Sequence, residues 1–440
     1  MPGLYVHVPF CRQACSYCDF YFVTRRELLP DFVRGLRQEI LSWKGHPAAR
    51  DPVETLYFGG GTPSLLTIED LESILDAFEN VFTLSLKEFT LEANPENVNP
   101  GLLSEWNALG VNRLSLGVQS FDPALLGSMH RSHTARQAEQ ALRWTAEAGF
   151  DSWSADLIFA NPGQSLHDLD RDLDRMLDLA PPHVSAYSLT LEEKTRLHKQ
   201  VTLGRVAMPD PDEAANHLTR VFERFGEAGY ERYEVSSHAK PGHRALHNAR
   251  YWTHTPYIGF GSAAHSFLWT GGQTGSGGES DRLGGAADPD PLPPRFRGSS
   301  APEGARGLRW SAPRDFRGWL SGSARPEHEW LSGRELAEER ILLGLRTVEG
   351  VSRSELAARY GYTLSAVQES RIATWIECGW AVQTGSFETG NSGVSIAEAE
   401  THEAATHEAE TLEAATRDPA IRLTPLGLNL ADRLTLDLLA

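Results

Sequence analysis

The chain has 440 residues, and 41 Lys and Arg against 59 Asp and Glu leave a formal net charge of −18. That length allows two or three domains with a sizeable core, and the acidic balance excludes general nucleic-acid binding, which needs a basic footprint. No stretch approaches the roughly 18 consecutive apolar residues of a membrane span, the opening MPGLYVHVPF has no signal-peptide pattern, and four cysteines, three of them grouped, suit a reducing cytoplasm rather than a disulfide framework.

Residues 1–200 alternate short apolar strands with amphipathic helices. The first strand, LYVHVPF (4–10), runs into Cys11, Cys15 and Cys18, spaced C-x₃-C-x₂-C with Tyr17 directly before the last. Further strands are expected over 54–60, 88–94, 113–119, 151–159 and 183–190. Helices begin at Thr67 with Asp70 three residues on, at Thr134 with a stop at Gly149, and at Ser165 with Asp168 following. Each start carries N-cap chemistry, and the glycine suits a C′ position. Strands alternating with helices imply parallel βαβ units with right-handed crossovers. Six units are too few for a closed eight-fold barrel and predict an α/β fold, an open three-quarter (β/α)6 barrel. In βα barrels chemistry gathers at the C-terminal strand ends. Here those ends carry the cysteine loop, Gly59-Gly60-Gly61-Thr62-Pro63, Glu92 and Asn94, Gln119, Asp156, and Ser188 to Thr190.

Three thiolates can hold three irons of a 4Fe–4S cubane and leave the fourth open. An open iron can be chelated by the amino and carboxylate groups of S-adenosylmethionine. A structural zinc site wants four ligands, and the remaining cysteine, Cys378, lies far off in the apolar pattern WIECGW, where a small buried hydrophobe is expected. The segments YVHVPFCRQACSYCDF, GGGTPS, EANPE, RLSLGVQSFD and DLIFANPGQ, in this order, resemble the radical SAM superfamily over roughly residues 1–240. The closest likeness is to the branch that contains oxygen-independent coproporphyrinogen III oxidase and the HemW-type heme chaperones.

The resemblance implies a 4Fe–4S cluster on Cys11, Cys15 and Cys18. It implies that Gly60, Gly61 and Thr62 contact the amino-acid moiety of S-adenosylmethionine, and that Glu92 partners a ribose hydroxyl or the ammonium. Gln119, Arg131, Asp156 and Tyr5 match further contacts, with Arg131 suited to the methionyl carboxylate. Read without the resemblance, Tyr5 is an ordinary strand aromatic and Asp156 a hydrogen-bonded structural carboxylate. His7 shares a strand face with Tyr5, and no role is assigned to it.

Within that branch the oxidase carries a fourth cysteine two residues after the third, where this chain has Phe20, and it extends tens of residues upstream of its strand-one tyrosine. HNARYW (247–252) matches the H-N-x-x-Y-W motif of the chaperones, which implies heme contact at His247 beside Tyr251 and Trp252. His265, in YIGFGSAAHSF (257–267), is a secondary candidate. The expected function is therefore heme carriage: binding heme, the cluster and S-adenosylmethionine, and passing heme to apo-hemoproteins such as respiratory cytochromes. The alternative is radical decarboxylation of coproporphyrinogen III. A homodimer and a peripheral membrane contact are left open.

Beyond the barrel (1–240), the reading places a connecting segment over 241–267, a Gly/Pro-rich insertion over 268–306, and a smaller C-terminal winged-helix-like α+β domain over 307–440. The last contains an acidic insertion, 385–417, with the period THEAA-THEAE-TLEAA at 401–415. A five-residue period fits neither helix nor strand, so His402 and His407 read as repeat expansion rather than metal ligands.

Overall fold

The computed structural model describes residues 2–270, 294, 301–383 and 420–440. The expected acidic insertion with its repeat, and nearly all of the Gly/Pro-rich insertion, lie outside the described residues. Six strands, β1 (Gly3–Val8), β2 (Val53–Gly60), β3 (Leu84–Ala93), β4 (Arg113–Gln119), β5 (Ser152–Phe159) and β6 (His183–Ser188), pair in parallel in chain order with helices between them. This is the expected open (β/α)6 barrel. The helices Ile68–Glu79, Ala135–Glu147 and Leu166–Leu179 start at Thr67, Thr134 and Ser165, each with a reciprocal capping box. Such a cap is worth about 1 kcal/mol.

The sheet extends further than the sequence suggested. On one side β7 (Glu231–Arg232) and β8 (Ser237–Ala239) follow β6, with β8 antiparallel to it. On the other, β9 (Tyr257–Phe260) pairs in parallel with β1, and β10 (His265–Trp269), β11 (Ala305–Ser311) and β12 (Glu327–Ser332) continue the sheet outward. The segment 257–267 is thus a strand pair rather than a connector. Its partner β11 lies across the Gly/Pro-rich insertion, with His265 in register with Ser311 and Trp269 with Gly307. The insertion interrupts a strand pair instead of separating domains. The two compact units divide at Leu331/Ser332.

In the second unit the helices Gly333–Gly344, Ala366–Glu377 and Ala431–Leu439 accompany a small antiparallel sheet in which Ala420–Leu423 pairs with both Val351–Ser352 and Ala381–Gln383. That matches the winged-helix-like expectation. Cys378 departs from its expectation: it caps the end of Ala366–Glu377 and is exposed, because Ile372 and Trp375 occupy the buried face of that helix.

What positions the site is the two-residue alternation of the barrel strands. Leu4, Val6 and Val8 of β1, Leu56 and Phe58 of β2 and Leu91 of β3 point outward and are fully buried beneath the helices. Each such side chain contributes about 1.5–3 kcal/mol. The residues between them face inward: Tyr5 and His7, Thr55 and Tyr57, Thr90 and Glu92, and, by register, Ser115, Ser154, Asp156, Ser185 and Tyr187. Closed βα barrels fill this space with branched apolar residues. A polar lining leaves a chamber instead, and Tyr187 keeps 45% of its surface open within it.

The N-terminal strand ends are closed by the helix Leu246–Trp252, which contains HNARYW. Its own N-cap residue, Ala245, supplies no side-chain bond. Glu88, buried at the foot of β3, accepts instead from the backbone N–H of Leu246 (2.7 Å) and of His247 (2.8 Å), with the Arg113 guanidinium 4.0 Å away. Removing that carboxylate leaves two backbone donors, one of them buried, without their acceptor and takes the counter-charge from buried Arg113. Glu88→Ala is expected to lower unfolding free energy by about 3 kcal/mol, measured by urea denaturation.

Candidate cofactor site

At the opposite, C-terminal end, the cysteine loop is pinned on both flanks. Cys11 N–H donates to the Val23 carbonyl (3.0 Å), Ser16 bonds to Met129 and Ser128, and Leu197 N–H returns to the Ser16 carbonyl (2.7 Å). The three thiols are partly exposed and close enough to repel one another's negative charge. Burial raises Cys11 and Cys18, the latter to about 11, so metal loading displaces protons.

The glycine turn after β2 lies against this loop. Gly61 N–H donates to the Val8 carbonyl (2.8 Å), and a Cβ there would stand 2.8 Å from the Phe10 carbonyl oxygen and 3.0 Å from Cys11 Sγ. Only glycine lets the backbone come this close to the thiol. Gly60 has φ +111°, a second reason for glycine. Thr62, buried, approaches Cys11 Sγ to 3.8 Å and accepts from Asn94 Nδ2 at 3.1 Å.

Asn94 then receives Arg131 Nη2 (2.6 Å), which also donates to the Gly117 carbonyl (2.8 Å), while Nη1 reaches Cys15 Sγ at 3.5 Å. Arg131 Nε is buried with no acceptor among the described residues. That spare donor is what a ligand carboxylate would satisfy. Gln119, at the tip of β4, is buried and held at φ +69°, a conformation costly for a side chain other than glycine or asparagine and one that collects at functional sites.

Deeper in the chamber, Glu92 accepts from Tyr57 OH (2.7 Å) and from Gly60 N–H (3.0 Å). Burial raises it to about 7 against those bonds, with Asp156 pushing the same way. Asp156, bonded by Ser115 at 3.4 Å, is raised by burial to about 6. Tyr5 donates to or accepts from His7 Nδ1 at 3.0 Å, and His7 Nε2 meets the Tyr21 carbonyl at 3.2 Å. The donor set fits its implied groups: three thiols on one loop, a backbone cradle beside one of them, a spare guanidinium donor, and two carboxylates inside.

Of the expected residues, the fold therefore gathers Tyr5, Cys11, Cys15, Cys18, Gly60, Gly61, Thr62, Glu92, Gln119, Arg131 and Asp156 at one end of the barrel. His247 is not among them. It lies at the closed end, 1% exposed, with Nδ1 bonded to Thr55 Oγ1 (3.0 Å), Nε2 to Tyr251 OH (2.8 Å), and its ring packed against Tyr57 and Tyr5. The ring closes the N-terminal end of the chamber, with both nitrogens engaged by hydroxyls of the protein. Tyr57 was missed as a site residue, and Asn94, noted at its strand end, was given no contact. The signal was available for Asn94, which stands two residues after Glu92.

The arrangement is that of a radical SAM protein, and comparison agrees: the model of the Radical SAM superfamily matches residues 5–176, and that of the HemN C-terminal domain matches 331–387. The chain is 35% identical over 272 residues to heme chaperone HemW of Bacillus subtilis, covering 61% of this chain and 71% of the relative. It is 36% identical over 266 residues to heme chaperone HemW of Escherichia coli, covering 60% and 69%. It belongs to the HemW family. The solved coproporphyrinogen III oxidase (HemN) from Escherichia coli, a radical SAM enzyme, shares the fold with a TM-score of 0.71 at 18% identity, over 99% of this chain and 90% of that one.

Burial, then Arg250, lowers His247 from its ordinary value to about 3. Its unfolded form takes up a proton below about pH 6.5 and its folded form only near pH 3, so it withdraws stability as pH falls through that window. Between pH 7.5 and 5.5 the loss from this ring is about 1.4 kcal/mol. Urea unfolding at the two pH values should show a shallower dependence in His247→Gln, by that amount.

Proposed function

We propose that this chain is a cytoplasmic heme carrier that holds a 4Fe–4S cluster on Cys11, Cys15 and Cys18, binds S-adenosylmethionine over the Gly59–Thr62 turn, and hands heme to apo-hemoproteins. The observation that carries the reading is the kinship with heme chaperones, joined to a cysteine loop that has Phe20 where the oxidase carries a further cysteine. Among the described residues no helix is long and apolar enough to cross a membrane.

In this reading the Gly60 and Gly61 backbone and Thr62 seat the amino-acid end of S-adenosylmethionine. Arg131 takes the carboxylate with its spare Nε, while Asn94 and Gly117 fix the guanidinium plane. Glu92 faces the cationic part of the ligand, and Asp156 and Gln119 complete the lining. When bound, the cluster and S-adenosylmethionine supply one-electron chemistry. The chain's own residues bind, orient and exclude water.

A cation settling beside Glu92 favours its ionised form, so binding expels a proton wherever that carboxyl is still protonated. S-adenosylmethionine affinity is expected to be flat above about pH 7 and to fall as pH drops below it. Glu92→Gln should remove most of that dependence in calorimetric titrations of the cluster-loaded protein.

The functional test is an anaerobic hemin titration followed by transfer to an apo-cytochrome. Saturable binding with a defined Soret band, and heme appearing in the acceptor, are expected. Decarboxylation of coproporphyrinogen III with matching production of methionine and 5′-deoxyadenosine, and no heme transfer, would establish the oxidase reading instead.

A further inference from the structure

We infer that Asp172, on the helix Leu166–Leu179, is a positioning residue that holds Gln119 beside Arg131 and Asn94 and so sets the affinity for S-adenosylmethionine; this rests on the reading of the cofactor site given above. Leu169, Asp172, Leu173 and Met176 recur at the spacing of one helix face, and all four are buried. A carboxylate in an apolar stripe must find donors there. Asp172, 2% exposed, finds two just past the tip of β4: Ser120 Oγ donates to Oδ2 at 2.6 Å and Phe121 N–H to Oδ1 at 2.8 Å.

The turn those donors belong to needs holding. Ser120 N–H donates to the Val118 carbonyl at 2.9 Å across Gln119, whose φ is +69°. This is a γ-turn of the strained hand, and such a conformation persists only where its surroundings fix it. Before the turn, Arg131 Nη2 donates to the Gly117 carbonyl (2.8 Å) and His133 Nε2 to the Val118 carbonyl (2.9 Å). After it, the Asp172 carboxylate is the anchor, and Ser120 Oγ also accepts from Asp122 N–H at 2.9 Å. Burial raises Asp172 to about 6, with Asp122 adding to the rise and Ser120, Phe121 and Arg171 opposing it, so near neutrality both anchoring bonds are to a charged acceptor.

What the turn delivers is the Gln119 amide. A Cβ on Gly117 would stand 3.0 Å from Gln119 Nε2 and 3.2 Å from both Arg131 Nη2 and Asn94 Oδ1, so the three polar groups crowd one point beside the cysteine loop. Arg131 and Asn94 are tied to each other by a 2.6 Å bond. The Gln119 side chain makes no hydrogen bond among the described residues, so its place is set by the backbone beneath it. Its free amide and the spare Arg131 Nε are then offered together to one ligand. Asp172 touches neither. It acts through Ser120 and Phe121, from the helix side of the sheet.

The experiment is a calorimetric titration of the cluster-loaded full chain with S-adenosylmethionine, comparing the wild type with Asp172→Asn, Ser120→Ala and Gln119→Gly, and with each of the first two combined with the third. Asparagine leaves one acceptor oxygen for two donors. Glycine takes positive φ freely and has no amide to place, so in Gln119→Gly the anchor has nothing left to act through. Expected are about tenfold weaker binding at unchanged stoichiometry in Asp172→Asn, a severalfold loss in Ser120→Ala, and no further loss when either is added to Gln119→Gly. Losses of the same size in both backgrounds would show a merely structural carboxylate and overturn the assignment. Wild-type affinity in Gln119→Gly, or in Asp172→Asn and Ser120→Ala together, would also overturn it and leave the cofactor reading standing. Should Asp172→Asn fail to fold, Ser120→Ala, which keeps the Phe121 bond, makes the same comparison. No saturable binding by the wild type would overturn the cofactor reading, and the assignment with it.

Discussion

The alternation of side chains along the barrel strands is the constraint on which everything else depends. A shift of one residue in any strand would carry its apolar set into the chamber and its polar set under the helices. The outward set, exemplified by Val6, Phe58 and Leu91, buries completely against the helices and holds the register. The inward set is thereby delivered to one space: Tyr5 lies opposite Tyr57, and Glu92 opposite Ser115. Site geometry here is a by-product of core packing, and core substitutions should be read with that in mind.

Keeping the chamber polar costs stability. Glu92 and Asp156 lose hydration, and their elevated pKa values, about 7 and about 6, measure the discomfort of the charged forms. Tyr57 and the Gly60 N–H only partly offset it. A packed apolar core would be more stable and would have nowhere to seat a ligand, which is the usual trade between stability and function. The closed end resolves the same problem differently. There Glu88 is satisfied by two backbone donors and His247 by two hydroxyls, so burial leaves no spare valence.

That contrast explains what was legible in the sequence. The six barrel strands, their order and the helix starts follow from local period and cap chemistry, and β4 falls on its expected limits, 113–119. The thiol loop and glycine turn were legible because their spacing has a chemical reason. The bonding of His247 was not: a motif identifies residue types, whereas what the ring nitrogens meet depends on Thr55 and Tyr251, one of them 192 residues away. The sheet extension escaped for a related reason. The pairing of β10 with β11 spans an insertion whose composition imitates a linker, and strand pairing across such a gap leaves no local signature.

The two histidines of the connecting region sit in different surroundings: His247 is buried with both ring nitrogens bonded, and His265 is exposed at the start of β10. HNARYW is dense in polar and aromatic groups, and that density lets a seven-residue helix close the barrel end: His247 bonds to Thr55 and Tyr251, and Arg250 to Glu54, as the aromatics pack. His265 looks incidental among small residues, and those small residues are what permit the tight corner that leaves its ring exposed.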